Sequence, residues 1–175
     1  KLANDTLVVT TMSNIGLHAA AKEYGIDLAI TDVGDRYVIE EMKKSGHNLG
    51  GEQSGHMIFL DYNTTGDGTL SSLIVSKIVK EEGKTLSEQS ALMTTYPQVL
   101  INVEVRNEVK NKFMENDEIR AEIERLEKLM NGTGRVLIRP SGTQPLVRVM
   151  LEGKDEGQIR ELAQGLADLI KEKLA

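Results

Sequence analysis

Residues 6–31 read TLVVTTMSNIGLHAAAKEYGIDLAIT, and the order of textures in them decides the fold class. Thr6–Thr11 is short and rich in β-branched residues, which predicts a strand. Asn14 is a helix cap by residue type. Leu17, Ala20, Ala21 and Tyr24 then fall at i, i+3, i+4 and i+7, one face of a helix. Gly25 ends that helix, and Asp27–Thr31 supplies a second strand. Strand, helix, strand is the repeating unit of an α/β layer, with at least one right-handed crossover expected.

The pattern continues outward. Val38 and Met42 mark a helix from about Asp35 to Ser45. Asn48–Gly50 and His56–Leu60 read as two strands around a glycine-rich turn. Gly68–Glu82 is a helix with a broad apolar face of Leu70, Leu73, Ile74 and Ile78, and Thr85 caps a short helix reaching Met93. The texture changes near Pro97. Val99, Ile101, Val103 and Val105 alternate inward on a longer strand. Ile119, Ile123, Leu126 and Met130 give a helix face that Asn131-Gly132 stops. Gly134–Arg139 and Leu146–Leu151 are strands joined by a tight loop, and Asp155 opens a terminal helix. The reading is therefore α/β: a mixed-sheet α/β domain over residues 1–96, followed by a smaller α+β domain over residues 97–175.

Lys plus Arg number 21 and Asp plus Glu 27, a formal net charge of −6. That balance argues against a nucleic-acid face and against a polybasic membrane patch. Cysteine is absent, which excludes disulfides, a thiol nucleophile and cysteine metal sites. No apolar run approaches the roughly 18 residues of a spanning helix, and no secretory pattern follows Lys1, so a cytoplasmic protein is expected. A first residue other than Met sets the expectation of a piece of something longer.

Three glycine-punctuated loops hold residues with no packing purpose. The loop Arg139-Pro140-Ser141-Gly142-Thr143-Gln144-Pro145 has the chemistry of a phosphate cradle. Arg139 can fork two N–H donors onto phosphate, Ser141 and Thr143 add hydroxyls, and Gly142 lets the backbone turn its N–H groups inward. Arg148 is placed where a hairpin would return it beside the loop. A plain hairpin turn is the competing reading. The loop Gly50-Gly51-Glu52-Gln53-Ser54-Gly55-His56 offers a carboxylate, an amide, a hydroxyl and an imidazole, a set that suits sugar hydroxyls, with His56 able to shuttle a proton. A polar turn is the alternative. In Gly34-Asp35-Arg36-Tyr37, Asp35 and Arg36 either cap a helix and hold an ion pair, or Arg36 faces a ligand at the end of a strand. His18 reads as structural and His47 as solvated. Asp61–Asp67 lacks the bidentate Glu of a calcium loop, because Ser72 stands in its place, so Asp67 is assigned to the start of the next helix.

Taken together, LGGEQSGH, DYNTTGDG and RPSGTQPLVRVMLEG resemble the phosphohexomutase superfamily, and TTMSN with TDVGDRYV narrows the resemblance to its bacterial phosphoglucosamine mutase branch. The resemblance runs over the whole chain and corresponds to the family's third domain, which reads the sugar, and fourth, which grips phosphate. It implies interconversion of glucosamine 6-phosphate and glucosamine 1-phosphate through a phosphoserine and a 1,6-bisphosphate, on the route to UDP-N-acetylglucosamine and the cell wall. Glu52, Gln53, Ser54 and His56 are the implied sugar-binding residues, with His56 a candidate acid/base group. Arg139, Ser141, Gly142, Thr143 and Arg148 are the implied phosphate-binding residues, and Asp35 and Arg36 match a family loop without an assigned role. The family's Thr-Ala-Ser-His-Asn-Pro serine loop and Asp-Gly-Asp-x-Asp-Arg magnesium loop do not occur in these residues. Mg2+ is thus implied for the full-length enzyme and no metal for this chain. The implied partners are a hexosamine phosphate and the enzyme's N-terminal domains. A glucose or mannose phosphate mutase, or a non-catalytic sugar-phosphate module, are the alternatives. Gln144 stands where the family pattern R-P-S-G-T-E-P has Glu, which puts any ion pair of that Glu in doubt.

Overall fold

The computed structural model describes residues 1–175, which divide into two compact units, Lys1–Thr95 and Tyr96–Ala175. No helix is long and apolar enough to cross a membrane.

The first unit runs β1 (Thr6–Thr10), α1 (Ile15–Tyr24), β2 (Asp27–Thr31), α2 (Asp35–Ser45), β3 (Leu49–Gly51), β4 (Met57–Phe59), α3 (Gly68–Glu82) and α4 (Leu86–Ser90). Helices α1, α3 and α4 start where side-chain caps satisfy their first N–H groups. Asn14 accepts from Gly16 N–H at 3.0 Å, Asp67 from Leu70 N–H at 2.9 Å, and Thr85 with Glu88 forms a capping box. The sheet order is β2-β1-β3-β4, with β1 parallel to both β2 and β3 and β4 antiparallel to β3. Val8, Ile58, Val38 and Met42 close the core between the sheet and α2. Gly50 permits that closeness, since a Cβ there would lie 2.7 Å from Met42 Sδ and 2.8 Å from Val38 Cγ1. Because β2 and β3 lie on opposite sides of β1, the carboxyl end of β1 is a topological switch point, the usual crevice for a ligand in an open α/β sheet.

Two residue-level expectations change. The apolar face of α3 is largely unburied, with Leu73 64% exposed, because the main neighbour of this helix is the three-residue β4, too short to cover it. His47 is half-buried rather than solvated, with its Nδ1 enclosed and unpartnered.

The second unit runs β5 (Gln98–Glu104), a 3-10 turn at Phe113–Glu115, α5 (Asp117–Leu129), β6 (Gly134–Pro140), β7 (Leu146–Gly153) and α6 (Glu156–Leu174). Its antiparallel sheet has the order β5-β7-β6. Alternation sends Val99, Val103, Val147, Val149 and Leu151 to one face, where Ile119, Ile123 and Leu126 of α5 and Ile159, Ala163, Leu166 and Ile170 of α6 complete an aliphatic core. The opposite face sets the other side chains of β6 and β7 in register: Arg135 opposite Glu152, Leu137 opposite Met150, Arg139 opposite Arg148. At one end the charges cancel, with Arg135 Nε 2.6 Å from the fully buried Glu152 carboxylate. Replacing Arg135 with Met would strip that carboxylate of its countercharge. We expect a loss of about 3 kcal/mol in urea unfolding, while Glu152→Gln in the same background recovers most of it.

Candidate functional site

At the other end of that face the charges do not cancel. Arg139 and Arg148 sit side by side across the β6–β7 ladder, and Arg148 Nε is buried with no hydrogen-bond partner. Burial, and then the neighbouring Arg148 charge, lower the pKa of Arg139, yet a guanidinium remains charged at neutral pH. Two like charges at the ~5 Å of directly opposed side chains would repel by about 3 kcal/mol at an effective dielectric of ~20, before screening. An anion set between the two would relieve that repulsion.

The connecting turn is stapled from within. Ser141 N–H donates to Leu146 O at 2.9 Å, Leu146 N–H to Gln144 O at 2.9 Å, and Gln144 N–H to the buried Ser141 Oγ at 3.2 Å. Ser141 therefore holds the turn with its lone pair and keeps its own proton to donate. Gly142 has no left-handed φ, so the turn does not demand glycine as the sequence reading supposed. A Cβ there would meet nothing within 4 Å, and what the glycine provides is an open rim beside exposed Thr143. Lys110, far away in sequence, donates from Nζ to Ser141 O at 2.8 Å and Gln144 O at 3.3 Å. It occupies the loop's carbonyls and adds a third cation to this end of the sheet. No local pattern signals Lys110, because its partners lie 31 and 34 residues on.

In the first unit, Glu52 N–H donates to His56 O at 2.9 Å and Gly55 N–H to Glu52 O at 3.0 Å, which closes the turn between β3 and β4 and leaves Gln53 and Ser54 exposed at its tip. The Glu52 side chain points back to the N-terminus of α2, where its Oε2 accepts from Gly34 N–H at 3.0 Å. Gly34 has φ +133°, a conformation that favours glycine and that aims this N–H at the carboxylate. His56 Nδ1 lies 3.1 Å from both oxygens of Asp35. A cavity of about 470 Å³ opens at the switch point, bounded in part by Leu7, Val9, Asn14, Leu49, Glu52 and Gln53. Arg36 takes no part, since its Nε pairs with Glu40 at 2.8 Å on the outer surface of α2.

Comparison with known proteins matches both units to one family. Residues 1–96 match the profile described as "Phosphoglucomutase/phosphomannomutase, alpha/beta/alpha domain III", and residues 100–169 its "C-terminal domain". The chain belongs to the phosphohexomutase family. It is 69% identical over 175 residues to a phosphoglucosamine mutase of Clostridioides difficile, covering 100% of the chain and 39% of that protein. The chain thus spans about two-fifths of the length of such relatives. Among solved structures it is similar to Aspergillus fumigatus N-acetylphosphoglucosamine mutase. The complex with glucose 1,6-bisphosphate has a TM-score of 0.79 at 20% identity over 97% of this chain and 39% of that one. The complex with GlcNAc-6P and magnesium has a TM-score of 0.76 at 21% identity over 99% and 40%.

One cluster in this phosphohexomutase chain has the composition of a metal centre: atoms of Asp35, Glu52 and His56 lie within 4.8 Å of one another. The donor set does not fit magnesium, which takes oxygen ligands and near-octahedral geometry. One donor is an imidazole nitrogen, Asp35 already faces that nitrogen, and Glu52 Oε2 is held by Gly34. The cluster is better described as a hydrogen-bonded network. Burial, and then a hydrogen bond with Asp35, raise the Glu52 pKa above its ordinary 4.5, and the Gly34 N–H only partly offsets this. A raised carboxyl pKa gives stability that is complete below the ordinary value and lost as pH rises through the raised one. Glu52→Gln keeps an acceptor for Gly34 and a donor for Asp35 at any pH. We expect it to match the parent in thermal stability near pH 4 and to exceed it at pH 7–8. Parallel melting curves for the two across that range check this.

Proposed function

We propose that this chain supplies sugar recognition and phosphate grip to a phosphoglucosamine mutase, converting glucosamine 6-phosphate to glucosamine 1-phosphate. The observation that carries the reading is the Arg139–Arg148 pair, two cations on a protein of net charge −6 that face each other without a carboxylate. A sugar phosphate approaching an acidic protein needs such a local reversal of field. The identity to the Clostridioides difficile phosphoglucosamine mutase supports the choice of hexosamine, and the ligands of the solved neighbours support a phosphorylated hexose.

In this reading Arg139, Arg148, Ser141, Thr143 and the N–H groups around Gly142 hold whichever phosphate is not reacting. Glu52, Gln53 and Ser54 meet ring hydroxyls, and His56 exchanges a proton with the oxygen that gains or loses phosphate. The phosphoserine of the preceding domains gives its phosphoryl group to the free sugar oxygen, forming the 1,6-bisphosphate. The intermediate reorients, and its other phosphoryl group returns to the serine. Magnesium, where bound in those domains, supplies charge neutralisation at the phosphoryl group. A carboxylate spanning two adjacent hydroxyls and a cradle fixed on a rigid hairpin both tolerate a substrate that binds in two orientations. The exposed apolar face of α3 is a surface for the preceding domains to cover.

Two outcomes test this. Inorganic phosphate should raise the melting temperature of the chain, by about 2.7 kcal/mol of stability at one hundred times its Kd. Arg139→Lys, which replaces a fork with a point charge, should weaken phosphate roughly tenfold, and Gln144→Glu should change it little. A titration indifferent to Arg139 would defeat the cradle. Separately, the purified chain should not interconvert glucosamine phosphates, since it carries neither a serine loop nor a magnesium loop of the family pattern. Turnover by the chain alone would overturn the division of labour.

A further inference from the structure

Asp35 stands where three loops meet. Its own loop leads into α2. The 52–56 turn brings His56 Nδ1 to 3.1 Å from both Asp35 oxygens. The loop before α3 brings Gly66, where a Cβ would lie 3.6 Å from Asp35 Oδ2 and 3.8 Å from His56 Cβ. The His56 side chain is 62% exposed and that of Asp35 31%, so the ring projects outward while its anchor is set back.

We propose that Asp35 is the positioning residue for His56: it holds the neutral imidazole as its Nδ1–H tautomer and turns Nε2 outward as the atom that meets the sugar phosphate. Hydrogen-bond chemistry sets the tautomer. An ionised carboxylate only accepts, so the nitrogen facing it must carry the proton. The other nitrogen is then a lone-pair acceptor in the neutral ring and a donor when the ring is protonated, which a group alternating between base and acid requires. Free imidazole in histidine favours the opposite tautomer, with the proton on Nε2. Glu52 completes the support. Its carboxyl group neighbours that of Asp35, a contact that adds to burial in raising its pKa, and Gly34 N–H holds its Oε2 at 3.0 Å. The aspartate is thereby oriented from below as it orients the ring above. Arg36, the neighbouring cation, is bound to Glu40 and does not neutralise the pair.

This proposal rests on the acid/base reading of His56 given above, and the test separates the two. Nitrogen-15 spectra of the His56 ring in the chain, taken where the ring is neutral, should show a protonated Nδ1 and an unprotonated Nε2. Asp35→Asn, nearly isosteric, presents an amide N–H that can donate to Nδ1. It should shift the ring to a mixture or to the Nε2–H form, with the amide resonances of α2 still reporting a folded helix. A wild-type ring protonated on Nε2, or a tautomer unmoved by Asp35→Asn, overturns the proposal alone. In a full-length mutase carrying this chain, Asp35→Asn should lower kcat at least tenfold with KM changed less than threefold. The same substitution should have little further effect in a His56→Ala background. Losses that multiply independently would mean that Asp35 does not act through His56. A His56→Ala enzyme of undiminished kcat would overturn the acid/base reading, and this proposal with it.

Discussion

The register of β7 between its neighbours is the constraint on which the second unit depends. From Val147 to Glu152 each residue of β7 has a fixed partner on both sides, so Val147, Val149 and Leu151 face the helices together while Arg148, Met150 and Glu152 face away. A slip of one residue would send Arg148 and Glu152 into an aliphatic core and lift the valines out of it. Because that slip is so unfavourable, the register fixes which side chains stand beside the turn. The same register sets Arg135 against Glu152 and Arg139 against Arg148. One strand thus carries a neutralised pair at its buried end and an unneutralised one beside the turn. Core packing and the cationic site are two consequences of a single alignment.

The first unit builds its candidate site in a different way. No long ladder fixes Glu52, Asp35 and His56. Three short loops converge on them, at the place where the strand order turns back on itself. The network costs stability, since burial disfavours the ionised Glu52 and its contact with Asp35 adds to that. Residues kept in such an unfavourable state are what a functional site accumulates, and a fold selected only for stability would have relieved the strain with an amide.

What the sequence made legible follows the range of the interactions. The α3 span is readable to the residue because its cap and stop are local: Asp67 bonds to the Leu70 N–H three positions ahead, and Gly83 ends the helix in the left-handed region. The strands β5 and β7 are readable because alternation is local too. The family likeness was legible in three loops for a related reason, since each is a short contiguous string. Lys110 was not, because nothing near it shows that it will reach the carbonyls of a turn beyond α5 and β6. The Asp35–His56 contact spans 21 residues and depends on how β3 is laid beside β1. The exposure of α3 escaped for the opposite reason, as its apolar stripe is genuine and periodicity cannot say whether a partner surface is present to meet it.

A chain that shares 21% of its residues with the Aspergillus protein and superposes on it with a TM-score of 0.76 has kept its fold while most side chains changed. Aliphatic cores allow this, because volume and periodicity constrain them more than identity does. Here the core is built almost entirely of Val, Leu, Ile, Met and Ala, a particularly exchangeable set. Chemistry cannot therefore be read from the fold and has to reside in groups that packing does not explain. Arg139, Arg148, Asp35, Glu52 and His56 meet that description. Each is polar, and each lies near the end of a strand, in a turn or at the start of a helix. The Gln144 position fits the same logic from the other side. Its backbone, not its side chain, bonds to Ser141, Leu146 and Lys110, so the turn keeps its shape whichever residue stands there. An amide in place of an acid leaves that end of the sheet more positive, and these bonds of the turn do not involve the side chain.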